Sequence, residues 1–263
     1  MINKQTFKTV LCSTLLITGI GFSQQAFAEE SNSLEKEAIK QHKISGMSDK
    51  EITELIKTAK EDRKFAETKG DELYKKDQKE FKQLETSGQI DKLYPKYKVE
   101  KNKISALSTK KSMGTKGDVL VSYEINSGSA SIGVGHAAIV AQNSSNTVES
   151  WAKSYSPKKQ DGVRKYPNTW NTKKKVYGLW VKGSSNAKYI GAAKYAEKQA
   201  SNKKPYNWNF LNKNTTKSFY CSQLAWRAWK NQGIDIDNIK WDTIVTPMEL
   251  VKSNNTKIFK HNK

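Results

Sequence analysis

The chain changes its pattern of apolar and polar positions near residue 113. In the charged, glycine-poor stretch from residue 48 to about 93, apolar side chains recur at roughly helical or heptad intervals, namely Ile52, Leu55, Ile56, Ala59, Ala66 and Leu73. Ser48 and Glu51 stand at the spacing of a capping box, and the residues ETSGQ at 85–89 end the pattern. The sequence therefore predicts a helical segment over this stretch.

The apolar stripe of this helical segment is too thin to form a core of its own, even with Phe81 and Leu84 included. Helices gain most of their stability from packing, and the linker YPKYKVEKNK at 94–103 is short. We therefore expect the segment to dock on the domain that follows it. Since no residue of the segment points to chemistry, a brace behind the domain is favoured over a cover on its functional site.

Beyond residue 116, short runs rich in β-branched and aromatic residues alternate with Gly, Asn, Ser and Pro. Five of these runs predict strands: GDVLVSYEI, GHAAIVAQ, TVESWA, GVRKYP and VYGLWVKG. Two helical patterns follow. Residues 186–200 carry Tyr189, Ala193, Ala196 and Ala200 on one face, and residues 215–233 carry Cys221, Leu224, Ala225, Ala228 and Trp229 on one face. This order predicts an α+β domain, an antiparallel sheet followed by helices.

The first 28 residues have the features of a secretory signal peptide. Lys4 and Lys8 precede the apolar run TVLCSTLLITGIGF, and the small-residue signature AFA stands at 26–28. The apolar run is shorter than the about 20 residues that a membrane-spanning helix needs, and no lipidation motif stands at the cleavage point. We expect an exported protein without a transmembrane anchor, divided into a signal peptide (1–28), a helical extension with its linker (29–112) and one main domain (113–263).

The charge of the chain is strongly positive. It has 46 Lys and Arg residues against 26 Asp and Glu residues, a formal net charge of +20, of which removal of the signal peptide takes only Lys4 and Lys8. The lysines are scattered among loops, which indicates either a well-solvated surface or attraction to anionic material of the cell envelope. No nucleic-acid-binding module is recognisable, so specific reading of DNA or RNA is not expected.

Cys221 is the one cysteine left once Cys12 departs with the signal peptide. It cannot form an internal disulfide, so its thiol is either a core group or a reactive one. With Ser218 as the predicted N-cap and Gly233 as the C-terminal stop, Cys221 falls in the first helical turn. Free N–H groups and the helix dipole there lower the pKa of a thiol and can hold an oxyanion.

A thiolate nucleophile needs a base, and the sequence offers three histidines. His42 lies in the polar N-terminal region, and His261 lies in the tail KHNK, which we expect to be frayed. His136 alone falls in a predicted strand, where small neighbours in GVGHAAIVAQ leave room beside its ring. His136 is therefore the candidate base, with a purely structural histidine at a strand edge as the alternative.

The order of several segments resembles a known family. GDVLVSY, GHAAIVAQNSSNTVESW, KPYNW, FYCSQLAWRAW and VTPMELV follow one another as in the circularly permuted branch of the NlpC-type, papain-fold cysteine peptidases, the YiiX/YebB-like group. The resemblance covers about residues 113–259. It implies a papain-like fold with the strands first and the Cys-bearing helix last, thiol hydrolysis of amide or ester bonds, and no metal or other cofactor.

The resemblance also implies roles for individual residues. Cys221 becomes the nucleophile, His136 the base that later protonates the leaving group, and Glu149 the group that orients the imidazole. Tyr206, in KPYNW, resembles a tyrosine that these enzymes place beside the site, although an aromatic side chain at the core edge fits equally well.

The residues around Cys221 match the family only in part. Ser222 follows the cysteine as in unpermuted members, where the backbone amide matters more than the hydroxyl. Tyr220 stands where an aspartate is frequent and Gln223 where a glycine is frequent. Specificity for standard diamino-acid peptides is therefore in doubt, and Tyr220 joins Tyr206 and Ser222 as a candidate substrate-binding or oxyanion residue.

The position of Glu149 raises a geometrical question. If residues 143–146 form a tight loop, Glu149 faces Val140 and shares a sheet face with His136. The two would still lie about four residues apart along the strand, on the order of 13 Å. A bulge or a different register is needed to bring them together.

These features together predict a secreted cysteine hydrolase with a papain-like α+β core, acting on amide bonds in peptidoglycan stem peptides. A first alternative is a lipid-directed acylhydrolase or amidase of the same fold, with Trp151, Trp226 and Trp229 as apolar walls. A second alternative is a cell-wall-binding protein whose site is catalytically inert.

Overall fold

A computed structural model describes residues 18–95, 111–125, 127–128, 132 and 135–263 of the chain. Residues 1–17 of the predicted signal peptide and most of the predicted linker lie outside the described residues. Of residues 18–28 only the helical backbone is described.

The centre of the fold is a six-stranded antiparallel sheet with the strand order β4-β3-β2-β1-β5-β6. Its strands are β1 (Val119–Ser122), β2 (His136–Val140), β3 (Asn146–Trp151), β4 (Gly162–Pro167), β5 (Val176–Val181) and β6 (Thr256–Asn262). The five predicted strands and the α+β class are confirmed. The expectation of a frayed tail is wrong, because the last residues form β6 and pair with β5.

Helices cover the sheet. They are α1 (Thr18–Ile44), α2 (Asp49–Thr86), α3 (Ile90–Leu93), α4 (Asn186–Ser201), α5 (Cys221–Lys230) and α6 (Pro247–Lys252). The alanine-rich face of α4 and the apolar face of α5 are buried in one core with Val121, Ile139 and Val148 of the sheet. Tyr189 of α4 meets Trp229 of α5 edge to face, with ring centroids 4.8 Å apart. This packing places the start of α5 beside β2 and β3.

The predicted helical segment is confirmed as α2. The Ser48–Glu51 capping box begins this 38-residue helix, and Gly88, with φ of 69°, follows its end. The preceding helix α1 was not predicted, and it begins inside the predicted signal peptide. Among the described residues, no helix is both long and apolar enough to cross a membrane.

The predicted docking of the helical extension is also confirmed. Ile52, Leu55 and Ala59 of α2 are buried in the same core as the sheet. Polar contacts add to this packing: Gln78 Nε2 donates to the Ile258 carbonyl of β6 at 2.8 Å. At the end of α1, His42 is buried against Trp208 and donates from Nδ1 to its carbonyl at 2.6 Å.

Gly70 marks the closest approach of α2 to the sheet. A Cβ at this position would lie 2.0 Å from the Tyr177 hydroxyl oxygen, and the Tyr177 ring is fully buried and stacked on His261 at 4.3 Å. The absence of a side chain at residue 70 therefore lets the helix dock, although glycine is unfavourable within a helix.

We expect Gly70→Ala to destabilise the protein by about 1–3 kcal/mol, because the buried ring cannot yield without strain. Gly191→Ala in α4 is the matched control. The new Cβ would meet Gln232 Oε1 at 2.1 Å, the far end of a flexible, partly exposed side chain, so the gain in helix propensity of up to about 1 kcal/mol should be retained. Urea unfolding measures both, and equal effects of the two substitutions would contradict this account of docking.

Candidate active site

Cys221 is the first residue of α5, and Tyr220 is its N-cap. The predicted N-cap, Ser218, is wrong because the chain before the helix is held extended, with Phe219 bridged to Tyr206. The Phe219 carbonyl accepts hydrogen bonds from the Ser150 hydroxyl of β3 at 2.6 Å and from the Asn207 N–H at 3.1 Å. These contacts fix the point at which α5 can begin.

The buried side chain of Gln223 also stabilises the start of α5 through hydrogen bonds. Its Oε1 accepts from the Tyr220 N–H and from Asn207 Nδ2, both at 3.0 Å. Its Nε2 donates to the carbonyls of Lys213 at 3.1 Å and Thr215 at 2.9 Å. A glycine could make none of these bonds, so Gln223 has a structural role at the start of α5.

His136 lies at the start of β2 and Glu149 lies within β3, and the two side chains meet. His136 Nε2 is 2.7 Å from Glu149 Oε2. The expected separation is wrong because Glu149 pairs with Ala138 rather than with Val140. The two residues are thus diagonal neighbours on one face of an antiparallel pair, a spacing of about 7–8 Å between Cα atoms that long side chains can bridge.

The Glu149 carboxylate accepts four hydrogen bonds. Besides His136, Trp151 Nε1 donates to Oε2 at 2.9 Å. Thr147 Oγ1 donates to Oε1 at 2.5 Å, and Trp170 Nε1 donates to it at 3.1 Å. Both oxygens are fully engaged, so the carboxylate is held in one orientation.

Three of these donors were not assigned to the site from the sequence. Thr147 and Trp151 stand two positions before and after Glu149, and such residues share its sheet face, so the alternation of the strand could have shown them. Trp170 comes from a short 3₁₀ turn between β4 and β5, and no local pattern links it to Glu149.

Two indole rings also fix the imidazole. The His136 ring centroid is 4.0 Å from that of Trp151 and 5.8 Å from that of Trp170. Since Nε2 is bonded to Glu149, Nδ1 is the ring nitrogen left for the Cys221 thiol. His136 Nδ1 is buried and makes no hydrogen bond, and the Cys221 thiol is near enough for the two groups to shift each other's pKa.

The three groups shift one another's pKa values towards the charged forms. Burial opposes charge on His136, but hydrogen bonds and attraction to Cys221 and Glu149 outweigh it and raise its pKa to about 9. Burial likewise raises the pKa of Cys221, but hydrogen bonding to His136, the Ser127 hydroxyl and the Ala137 backbone amide prevails, so the pKa of the thiol is lowered. The pKa of Glu149 is lowered in the same way against its burial.

Cys221 lines a small cleft with a cavity volume of about 20 Å³. Side chains of apolar or aromatic character form most of its lining: Ile132, Tyr206, Phe210, Tyr220, Ile244, Val245 and Pro247. Ser127 and Thr246 are among its polar members. The cleft can therefore accept an apolar or small group beside the thiol.

The three sequence-predicted substrate residues all line this cleft. Burial raises the pKa of Tyr206 well above its ordinary value, so its hydroxyl remains a hydrogen-bond donor. The Tyr220 hydroxyl accepts from the Val245 N–H at 3.1 Å, and the Ser222 hydroxyl donates to the Val245 carbonyl at 2.7 Å. The side chains of Tyr220 and Ser222 thus hold the cleft wall.

None of the three tryptophans proposed as apolar walls lines the cleft. Trp229 is buried in the core and donates from Nε1 to the Gly117 carbonyl at 3.1 Å. Trp226 donates to Asp235 Oδ1 at 2.8 Å. Trp151 contacts His136 and Glu149, so it holds these two side chains and is not part of the cleft lining.

The carboxylates of Asp237, Asp242 and Glu249 lie close enough together to hold a metal ion. Lys213, however, sends its ammonium group into this cluster, 2.7 Å from Asp237 and 2.6 Å from Asp242. The Ile244 carbonyl accepts a further bond from the same nitrogen at 3.2 Å. A lysine thus provides the positive charge that orders the loop before the cleft wall.

No protein-family model matches the chain, and neither a curated protein nor a solved structure does. Arguments about function therefore depend on the site itself. A buried thiol at a helix N-terminus, an imidazole beside it and a fully bonded carboxylate behind the imidazole form an arrangement that can activate a nucleophile and transfer a proton.

Proposed function

We propose that this protein is a secreted thiol hydrolase that cleaves amide bonds by a Cys221–His136–Glu149 mechanism. One observation carries the proposal: the Glu149 carboxylate fixes His136 through Nε2, which leaves Nδ1 free near the Cys221 thiol, and the pKa values of the thiol and the imidazole are shifted towards a thiolate–imidazolium pair. A structural histidine can also lie beside a carboxylate, as His261 lies beside Asp71, so the nearby cysteine is what distinguishes His136.

The proposed reaction begins with attack of the Cys221 thiolate on a carbonyl carbon. His136 donates its Nδ1 proton to the leaving amine, which departs and leaves a thioester. Water then attacks the thioester while His136 accepts its proton, and cleavage of the C–S bond releases the acid and restores the thiolate–imidazolium pair. Glu149 stabilises the imidazolium in both stages, and backbone N–H groups in the first turn of α5 stabilise the oxyanion.

The order of elements supports the proposed kinship with the permuted NlpC-type, papain-fold hydrolases. The His strand β2 and the Glu strand β3 precede the Cys helix α5 along the chain, as the resemblance implies. The helix packs on an antiparallel sheet and presents the cysteine at its first residue.

The substrate class that we favour is the amide bond of peptidoglycan stem peptides. The predicted signal peptide would bring the enzyme to the envelope, and the net charge of +20 favours anionic wall material. Export, charge and the chemistry of the site agree on this assignment.

A lipid-directed acylhydrolase is the second candidate, and the lining of the cleft favours it. Ile132, Phe210 and Ile244 offer apolar surface beside the thiol, which suits an acyl chain. An inert wall-binding protein is the third reading, in which Cys221 would be an ordinary core thiol.

The test is the pH dependence of Cys221 alkylation by iodoacetamide, read by mass spectrometry of the peptide that contains Cys221. A thiol of ordinary pKa, about 8.5, reacts at pH 7 at only about 3% of its limiting rate. Because the Cys221 pKa is lowered, we expect its rate to rise less between pH 7 and pH 9.5 than that of an ordinary thiol. The same chain unfolded in urea should show the ordinary steep dependence.

Turnover completes this test and separates the candidates. The protein is incubated with purified muropeptides and, in parallel, with acyl esters and amides, and the products are identified by mass spectrometry. Turnover should be bell-shaped, since the thiolate is needed on the acid side and protonated His136 is lost near pH 9 on the alkaline side. A Cys221 that alkylates like the unfolded chain, with no turnover of either substrate class, would favour the inert protein.

A further inference from the structure

One wall of the cleft, residues 244–247, leads into the short helix α6. Thr246 is the N-cap of this helix. Its Oγ1 accepts the Glu249 N–H at 3.2 Å, and Glu249 Oε2 accepts the Thr246 N–H at 2.6 Å. This capping box therefore fixes the backbone of the wall at Thr246, where α6 begins.

The two residues next to Cys221 hydrogen-bond to this wall at Val245. As described above, Ser222 donates to its carbonyl and Tyr220 accepts from its N–H. These two residues flank Cys221, so the position of the wall is tied directly to that of the nucleophile.

The helical extension holds the same wall from the other side. Thr246 Oγ1 donates to Asp62 Oδ2 of α2 at 2.7 Å, and Lys252 Nζ lies 2.5 Å from Asp62 Oδ1. Asp62 is only 3% exposed, and it stands on a helix that contributes no residue to the cleft lining described above. This contact reaches the cleft wall from nearly 200 residues away along the chain.

We propose that Asp62 is a positioning residue for substrate binding, acting through Thr246 on the cleft wall at Val245–Pro247. The extension is then more than a brace, because it sets the width of the cleft beside Cys221. This inference rests on the proposed hydrolase function for its kinetic readout, but the contact itself can be tested without turnover.

Asp77 provides a matched control on the same helix. It is also buried, at 2% exposure, and it also binds a lysine and the body of the domain, with Lys257 Nζ at 3.0 Å and the Ile258 N–H at 2.8 Å. It lies about four helical turns from Asp62 and contacts β6, which is no part of the cleft lining. Loss of Asp77 should weaken docking without moving the wall.

The experiment compares Asp62→Ala, Asp62→Asn and Asp77→Ala in the whole protein. Hydrogen exchange read by mass spectrometry reports local opening of the peptide that contains residues 244–250. We expect exchange there to rise about tenfold in Asp62→Ala and to stay within about twofold of wild type in Asp77→Ala. Asp62→Asn retains an oxygen that can accept from Thr246, so it should recover most of the protection.

Kinetics supplies the second readout. In Asp62→Ala we expect KM to rise about tenfold with kcat changed less than about threefold, because the reacting groups lie on other elements. Asp77→Ala should leave KM unchanged although its melting temperature falls. Unaltered exchange at 244–250 in Asp62→Ala, or an equal KM increase in Asp77→Ala, would overturn the proposal. Altered exchange in a protein without any turnover would retain the positioning contact and reject the hydrolase function instead.

Discussion

Cys221→Ala should lower turnover by at least about 10⁴-fold, and His136→Ala should lower it by about 10³–10⁴-fold. In the proposed mechanism, the first substitution removes the nucleophile, and the second removes the group that both stabilises the thiolate and protonates the leaving amine. Cys221→Ala should leave stability nearly unchanged, whereas His136→Ala should lower it, because the buried Glu149 carboxylate loses its counter-charge. Steady-state kinetics measures the loss of turnover, on whichever of the muropeptides, acyl esters and amides the protein cleaves. Melting curves measure the change in stability.

His261→Ala is the matched control for His136→Ala. His261 is also a buried histidine beside a carboxylate, with Nδ1 3.1 Å from Asp71, but it stacks on Tyr177 at the far strand β6. Its loss should lower stability to a similar degree and leave turnover within about threefold. Retained turnover in Cys221→Ala would reject the thiol mechanism, and a parallel loss in His261→Ala would show that activity merely follows stability.

Features fixed by neighbouring residues were predictable from the sequence. The Ser48–Glu51 capping box needs only four residues, and it starts α2 as expected. The five strands before α4 follow from local alternation and turn residues. The last strand was missed because its side chains are only half buried, and its existence depends on the edge that β5 offers to it.

Features decided by distant contacts were not predictable. Ser218 is a good N-cap by local preference, but pairing of Phe219 with Tyr206 keeps the chain extended past it. In the β2–β3 hairpin, the Ala141 N–H bonds to the Asn146 carbonyl, so the four-residue loop is 142–145. Moving such a loop by one position shifts the strand register by two residues, and this shift is what brings Glu149 to His136.

This register places the Glu149 carboxylate among several buried hydrogen-bond donors. We therefore expect Glu149→Ala to lower the free energy of unfolding by about 3–5 kcal/mol. The substitution leaves buried donors on Thr147, Trp151 and Trp170 without their acceptor, and it leaves His136 without its counter-charge. We also expect kcat/KM to fall about 10²–10³-fold, less than for the base itself, because Glu149 acts through His136. Chemical denaturation and steady-state kinetics measure the two losses.

Glu149→Gln tests whether the charge or only the shape of the side chain is needed. Either orientation of the amide sets its NH₂ group against an indole N–H, of Trp151 or of Trp170, so this variant should also be destabilised. Trp170→Phe is the graded control: it removes one donor and spares the carboxylate, so it should cost less stability and leave more activity. A Glu149→Gln variant as stable and active as wild type would show that the carboxylate is not required.

The stability lost in Glu149→Ala should depend on pH, and the signs of the pKa shifts give the window. The pKa of Glu149 is lowered in the folded protein, so its contribution is present above the ordinary carboxyl pKa and is lost as pH falls through the lowered value. The pKa of His136 is raised to about 9, so stabilisation from the imidazolium is complete below its ordinary pKa near 6.5 and is lost as pH rises through about 9. The difference in unfolding free energy between wild type and Glu149→Ala should therefore be largest between these limits, near pH 5–7, and should shrink towards both extremes. A difference that is constant from pH 3 to pH 10 would mean that Glu149 serves only as a neutral packing element, and the proposed ion pair with His136 would have to be abandoned.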